Sequence, residues 1–502
     1  MRKSRIGINI ASSLIQQAVS VVCGFILPRL ILNSYGSAYN GIVTSVSQFL
    51  SCVTLLRSGI GGVTRAALYQ SLADHETDKT AAIVKATEHF MRKVAWIFGG
   101  ALLVFAAIYP LLVKEEFDWL FSFSLVLILG ISTIVQYYFG IANQFLLHAD
   151  QRLYVHNIWY TVSVILNTLF SVLLIRAGVE IRLVKLCSAA AFSLPPVMLH
   201  LYVRRRYAFK KNIVPDFGAI RQRWDAFAHQ LASFVHTNTD IMVLTVFTDL
   251  RQVSVYSVYH VITNSLNMLI LSATNAVEAS LGKLLARKDQ TQLRKQVDSY
   301  ELIMHVVSTI VFGCAAILIV PFVRVYTMGV HDADYNQPVM GLMMCLAYWI
   351  AAIRLPYQNV IEAAGHFKQT KKMAIVEAVL NVALSCVLVN FFGAVGVVFG
   401  TVIAMSYRTV CYVCYALKKI LQQPMKTFVK RFAVSVATWS AIAAVYCWLP
   451  VQSCLETDVF NYWDWFIAAI LVFVFVTGIT LVVNFLFYKR RLMELIRLVR
   501  HK

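Results

Sequence analysis

The sequence has 502 residues, of which 59% are hydrophobic and only 14% are charged. Soluble domains are roughly 45–50% apolar and about 25% charged, so this composition excludes a soluble enzyme and indicates a polytopic membrane protein. On a soluble chain, the net charge of +20 would suggest a nucleic-acid partner. Here the basic runs, such as Arg204–Arg206 and Lys489–Arg491, flank long apolar segments, where Lys and Arg mark cytoplasmic loops. We therefore expect no nucleic-acid partner.

Long apolar segments recur along the whole chain. A helix of roughly 20 residues crosses the hydrocarbon core, and a window of that length predicts an all-α protein with about fourteen transmembrane helices. The first segment follows a basic N-terminus but has no small-residue cleavage site, so it is predicted to remain as a span. The predicted spans are 8–32, 38–60, 94–113, 119–147, 154–175, 183–203, 224–248, 252–282, 302–327, 338–361, 373–391, 393–417, 432–450 and 464–488.

The distribution of basic residues predicts the orientation of these spans. With the N-terminus inside, 35 of the 45 Lys and Arg residues lie in cytoplasmic segments and six lie within spans. The predicted outside loops hold only the remaining four, which are Lys114, Arg176, Arg182 and Arg251. This asymmetry predicts that both termini are cytoplasmic.

The chain is predicted to have four parts. Residues 1–203 form an N-terminal six-helix bundle, 204–223 a basic cytoplasmic linker, 224–431 a second six-helix bundle, and 432–502 two extra helices with a basic tail. The stretch Ser37–Asn40 at the start of span two is echoed by Ser254–Ser257 at the start of span eight. Six spans per half give both halves the same orientation. We therefore expect a parallel repeat that encloses a central cavity and permits rocking.

The sequence contains no motif that supports catalysis. It lacks a G-x-x-x-x-G-K-S/T phosphate loop and an H-E-x-x-H zinc helix. Asp332 and Asp334 have the spacing of a carboxylate pair that binds a metal–nucleotide complex. However, they fall in a short loop predicted to lie outside the cell membrane, where sugar nucleotides are absent. A solvated loop explains them better. The sequence therefore predicts a transporter rather than an enzyme, with no cofactor and no metal.

Arginines inside spans are the first candidate site residues, because an ionisable group near a helix centre costs roughly 2.5–3.5 kcal/mol on insertion scales. Arg57 in span two and Arg29 in span one are candidate cavity cations for an anionic substrate; snorkelling at the membrane surface is the alternative for both. Arg354 and Arg408 in spans ten and twelve are candidates of the same kind. For these two, the alternative is an ion pair between helices.

A polar run inside span seven, His236–Asp240, is the second candidate. Five consecutive polar side chains face every direction of a helix, so some of them must contact another helix or water. His236, Asn238 and Asp240 are therefore candidates for ion coupling, together with Glu377 in span eleven. A cluster of hydrogen bonds between helices is the alternative.

The order of these features resembles bacterial polysaccharide flippases of the multidrug/oligosaccharidyl-lipid/polysaccharide exporter superfamily. The resemblance covers essentially the whole chain and rests on degenerate motifs at matching spacing. These are Gly24–Leu30, Tyr35-Gly36, Leu55–Gly59, Asn238–Ile241 and Phe392–Gly396.

The resemblance implies a substrate and a mechanism. The substrate would be an undecaprenyl-pyrophosphate-linked oligosaccharide repeat unit, flipped across the bacterial inner membrane by alternating access for a surface polysaccharide such as O-antigen. Arg57 matches an arginine that is essential in related lipid II flippases, whereas Arg29 lies a few residues from their span-one arginines. The two extra helices would form a groove for the lipid tail. The implied partners are the lipid-linked oligosaccharide, the bilayer, a proton or sodium ion, and polysaccharide assembly proteins.

Two rival functions stay open at the level of sequence. A drug/cation antiporter of the same superfamily would use carboxylates in its cavity and typically has twelve spans. A membrane polysaccharide polymerase would need a sizeable outside loop with Arg or His, and the predicted outside loops are short and poor in both. The extra pair of spans and the intramembrane arginines favour an anionic lipid substrate.

Overall fold

The structure is a computed structural model that describes residues 2–51, 54–74, 76–113, 116–207, 209, 213–220, 239–287, 289–448 and 461–500. Within these ranges the chain is helical and has no β-strand, and ten helices are long and apolar enough to cross a membrane. The protein is a multi-pass membrane protein. Its main helices are α1 (Arg2–Tyr35), α2 (Ser37–Ser51), α3 (Thr54–Ala73), α4 (Thr77–Leu112), α5 (Trp119–Val135), α6 (Ile141–Ala149), α7 (Leu153–Arg176), α8 (Ile181–Tyr207), α9 (239–247), α10 (Leu250–Ala286), α11 (Gln290–Tyr326), α12 (Pro338–Ala363), α13 (Phe367–Tyr415), α14 (Lys426–Trp448) and the C-terminal helix (Tyr462–Arg500).

The predicted all-α fold is confirmed, and the described residues of each predicted span are helical except residues 113, 248 and 327 at span ends. Span seven is covered only over its last residues, 239–247. Many large apolar side chains on these helices are exposed, among them Trp96 at 75% and Leu120 at 66%. Such exposure is expected where a helix faces lipid rather than water.

The long helix α13 is a hairpin of two spans. Gly393 interrupts it with φ 55° and ψ −136°, a conformation that glycine adopts without a Cβ clash. Beyond this point the chain reverses, since Asn381 Nδ2 donates to Thr401 Oγ1 at 2.9 Å and Ser385 Oγ to the Val397 carbonyl at 3.4 Å. The predicted spans 373–391 and 393–417 therefore pack against each other.

The chain divides into two compact units, Met1–Ser254 and Val255–Lys502. In the first unit, α1 packs along α7 and α7 along α8. The described end of the predicted linker, 213–220, packs on α4: Lys85 Nζ donates to the Ile213 carbonyl at 3.3 Å, and the Asp216 amide to the Ala82 carbonyl at 3.2 Å. This end of the linker thus belongs to the first unit.

The start of α2 lies against the segment that opens α10. Asn40 Nδ2 donates to Ser254 Oγ at 2.8 Å, so two residues from the echoed stretches of the sequence are in direct contact. Close approach of the backbones requires Gly41, because a Cβ there would lie 1.9 Å from the Leu250 carbonyl oxygen. A larger residue would force the two helices apart.

We expect Gly41→Ala to lower the free energy of unfolding by about 1–3 kcal/mol, since overpacking of a tight contact has a cost of that order. Gly99→Ala in α4 is the matched control, because nothing lies within 4 Å of a Cβ at Gly99. Thermal unfolding of the purified variants in detergent tests this expectation. An unchanged melting temperature for Gly41→Ala would contradict the close contact.

In the second unit, α11 packs against α12, α14 and the C-terminal helix. Arg431 of α14 is buried and donates to Asp298 and Glu301 of α11, and Arg491 of the C-terminal helix also donates to Asp298. An apolar core that includes Leu318, Ile442 and Val476 fills the space between the same three helices. Apolar and ionic contacts therefore attach the last two long helices to the second unit.

Candidate functional site

A buried cluster of three charged side chains lies within the second unit. Arg354 Nη1 donates to Glu377 Oε1 at 3.2 Å, and Arg408 Nη1 donates to Glu377 Oε2 at 2.5 Å. The Glu377 side chain is fully buried, and those of Arg354 and Arg408 are 8% and 12% exposed. One carboxylate therefore pairs with two guanidinium groups inside the helical bundle.

The hairpin of α13 creates this arrangement. Glu377 lies on its first arm and Arg408 on its second, at similar distances along the chain from the reversal at Gly393. Helix α12, which packs against α13, supplies Arg354 two residues before Pro356. Three predicted spans thus each contribute one charge to the same point.

The cluster carries a net positive charge. Arginine stays protonated in proteins, so two guanidinium groups and one ionised carboxylate sum to one positive charge. Arg354 Nε and Arg408 Nε are buried, and neither has a hydrogen-bond partner in the part of the chain that the structure describes. Arg408 Nη2 also donates to the Tyr412 hydroxyl at 3.1 Å, and its guanidinium lies 4.8 Å from the centre of that ring. An excess cation in a low-dielectric site attracts anions strongly.

Neutral polar groups continue from Glu377 along the first arm of α13. Asn381 and Ser385 follow at four-residue spacing and are fully buried, and Thr401 on the second arm faces them. Reasoning from sequence missed this stripe, although residues 377, 381 and 385 share one helical face and the spacing was visible. Buried amide and hydroxyl groups of this kind can hold helices together or coordinate a small cation.

The other predicted site residues lie in the first unit or outside the described residues. Arg29 lies in α1 just after Pro28 and is half-buried, and Asp240 is half-buried near the start of 239–247. Arg57 falls within α3, but its side chain is outside the described residues, as are His236 and Asn238. The structure thus brings together Arg354, Arg408 and Glu377. The assignment of all these residues to substrate binding or ion coupling stays a prediction.

Comparison with known proteins identifies the fold. No family model and no curated protein matches the sequence. The solved lipid II flippase MurJ in an inward closed conformation superposes with a TM-score of 0.69 at 13% identity, over 96% of this chain and 98% of that one. An inward-facing multidrug resistance MATE transporter of the MOP superfamily gives 0.59 at 12% identity, over 83% and 97%. The eukaryotic MATE transporter AtDTX14 gives 0.59 at 12% identity, over 86% and 98%.

These three structures are a flippase and two transporters, and this chain shares their fold. The all-α, multi-span fold predicted from the sequence is therefore confirmed. At 12–13% identity the similarity concerns the fold. It leaves the substrate open.

Proposed function

We propose that the protein flips an undecaprenyl-pyrophosphate-linked oligosaccharide repeat unit from the cytoplasmic to the outer leaflet of the bacterial inner membrane. Transport proceeds by alternating access, and the flipped repeat units are used to assemble a surface polysaccharide. The observation that carries this proposal is the positively charged cluster of Arg354, Glu377 and Arg408 inside the membrane-spanning part of the chain.

The charge of the substrate explains why such a cluster is useful. A pyrophosphate is multiply negative, and it cannot enter hydrocarbon without cationic partners. Arginine offers a planar fork of donors that matches phosphate oxygens. The polyprenyl tail can stay in lipid while the glycan and the pyrophosphate cross a hydrated path. Arg57 and Arg29 are further candidates to bind the same pyrophosphate.

The extent of the structural matches also favours a lipid substrate over a drug. The lipid II flippase matches 96% of this chain, and the two MATE transporters 83% and 86%. The share of this chain matched by the flippase exceeds that matched by the MATE transporters by 10–13%, which is about 50–65 of the 502 residues. This number is close to the length of the segment 432–502, which contains the last two long helices. These helices are proposed to guide the lipid tail.

An ion gradient is proposed to drive transport, because the sequence contains no motif for ATP binding. Glu377 is one candidate coupling residue, since a cation that reached this carboxylate would compete with Arg354 and Arg408 for its oxygens. Asp240, with His236 and Asn238, is the other. We place both termini in the cytoplasm on the strength of the basic-residue asymmetry.

A multidrug/cation antiporter is the second candidate, because MATE transporters share the fold over most of this chain. Such a protein would need an uncompensated carboxylate for a cationic drug. Glu377 does not fit that need, since both of its oxygens accept hydrogen bonds from arginine.

Reconstitution separates the two candidates. Proteoliposomes would carry a polyprenyl-pyrophosphate-linked oligosaccharide in one leaflet, and a membrane-impermeant lectin would report its arrival in the other. We expect the protein to raise the rate of transfer well above that of protein-free liposomes and to leave ethidium uptake unchanged. Ethidium transport without glycolipid transfer would instead identify an antiporter.

A further inference from the structure

A cavity of about 430 Å³ is lined by residues of the first unit. Its size is typical of a small-molecule site. Helices α5, α6, α7 and α8 and the turn between α5 and α6 form its walls. The lining residues are Ser132, Gln136, Gly140, Gln144, His156, Tyr160, Phe192, Pro195, Pro196 and Leu199.

One wall is a polar stripe on an otherwise apolar span. Ser132, Gln136, Gly140 and Gln144 recur every four residues, so they share one face of the helix. A single π-helical turn, Gln136–Gly140, interrupts this wall, and the Ile141 amide donates to the Gln136 carbonyl in place of the ordinary i−4 acceptor. Turns of this kind are rare and are found frequently at functional sites.

A second wall is also irregular. Pro195 and Pro196 lie inside α8, and proline has no N–H, so the carbonyl of Phe192 receives no helical hydrogen bond from residue 196. Gly140 permits the two walls to approach, because a Cβ there would lie 2.7 Å from the Pro196 Cβ. Both irregular segments therefore meet at the same cavity.

The third wall is aromatic. The rings of His156 and Tyr160 lie one helical turn apart on α7 with centroids 5.8 Å from each other, and the Phe192 ring lies 6.1 Å from that of Tyr160. Such rings offer apolar faces, and Tyr and His add polar edges.

The chemistry of the lining narrows the class of ligand. None of the ten lining residues is Asp, Glu, Lys or Arg, so the cavity offers no counter-charge to a cationic drug or to a phosphate. Two amides, two hydroxyl groups and an imidazole supply donors and acceptors on several sides. Aromatic faces beside neutral hydrogen-bonding groups suit a ligand with apolar C–H faces and many hydroxyl groups.

We infer that this cavity is a subsite for one uncharged sugar residue of the transported glycan. The inference rests on the proposed function, because it assigns the glycan a binding site separate from the cations that would hold its pyrophosphate. Gln136 and Gln144 bind sugar hydroxyl or acetamido groups, and Tyr160 and Phe192 pack against the ring.

Saturation-transfer NMR on the full-length protein in detergent tests the inference. The probes are methyl glycosides of glucose, galactose and N-acetylglucosamine, with tetraethylammonium and inorganic pyrophosphate as charged probes. We expect saturable binding of at least one glycoside. Gln136→Leu should weaken it about tenfold, because a buried sugar hydroxyl would lose its partner. Ser132→Trp, which fills the cavity, should abolish it.

Gln252→Leu is the matched control, since Gln252 is an exposed amide of the same unit outside the cavity. Tyr160→Phe removes one hydroxyl and keeps the ring, so it reports on the cavity even where a larger change prevents folding. The inference is overturned if no glycoside binds, if Ser132→Trp and Tyr160→Phe bind like the native protein, or if a charged probe takes the Gln136-dependent site instead.

Glycolipid transfer in proteoliposomes, measured on the same preparations, separates this inference from the proposed function. If the native protein binds glycosides but does not transfer the glycolipid, the proposed function is contradicted and the sugar site is supported. If it transfers the glycolipid but binds no glycoside, only the subsite is contradicted.

Discussion

Glu377→Gln is expected to lower the free energy of unfolding by about 3–5 kcal/mol, because it leaves two buried guanidinium groups without their counter-charge. Arg354 and Arg408 each donate to a separate oxygen of this carboxylate, and all three side chains are largely buried. The glutamine keeps the shape of the side chain, so the loss would reflect charge rather than packing. Thermal or denaturant unfolding in detergent measures it.

A double-mutant cycle tests whether the three charges act as one group. Adding Arg354→Gln to Glu377→Gln should recover part of the lost stability, because it removes one of the unpaired cations. Glu362→Gln is the control: Glu362 is a half-buried carboxylate of the same unit that accepts a hydrogen bond from Gln358 at 2.8 Å. Equal losses for Glu362→Gln and Glu377→Gln would contradict the account of the cluster.

Arg57→Ala is expected to abolish glycan export while the protein is still made and inserted. Under the proposed function, Arg57 is one of the cations that hold the pyrophosphate. Charge-assisted hydrogen bonds from its planar fork would be lost with the side chain. Arg57→Lys should retain part of the activity, since lysine keeps the charge but cannot donate two parallel hydrogen bonds. Surface polysaccharide in complemented cells is the readout.

Arg65→Ala provides the matched control for Arg57. Arg65 lies two turns further along α3, and its guanidinium lies 5.7 Å from the centre of the Phe145 ring, where it has a packing role. Export should persist in this variant at an equal level of protein in the membrane. Full export by Arg57→Ala would exclude Arg57 from the substrate site.

The membrane-spanning helices could be predicted from the sequence because each must present roughly 20 apolar residues to lipid. Even the tight reversal between spans eleven and twelve was predictable, since Gly393 follows an apolar run of the required length. Arg354, Glu377 and Arg408 were each recognisable as costly charges within spans. Their shared geometry was not, because periodicity gives the face of a helix but not which other helix that face meets.

The cavity of the first unit was not predictable from the sequence for a related reason. The four-residue spacing of Ser132, Gln136 and Gln144 was visible in the sequence, but nothing there marks the π-helical turn at Gln136–Gly140. The paired prolines 195 and 196 were visible, but their contact with Gly140 depends on how α5 and α8 pack. Tertiary packing therefore decides both sites.

Mass spectrometry of polyprenyl-linked sugars tests the central claim most directly. Cells that lack this protein would be compared with complemented cells and with cells that carry Arg57→Ala. The proposed function predicts that a complete repeat unit accumulates on its pyrophosphate carrier in cells that lack the protein and in cells that carry Arg57→Ala. In complemented cells this accumulation should disappear. Unchanged lipid-linked sugars together with intact surface polymer would contradict a flippase of this substrate class.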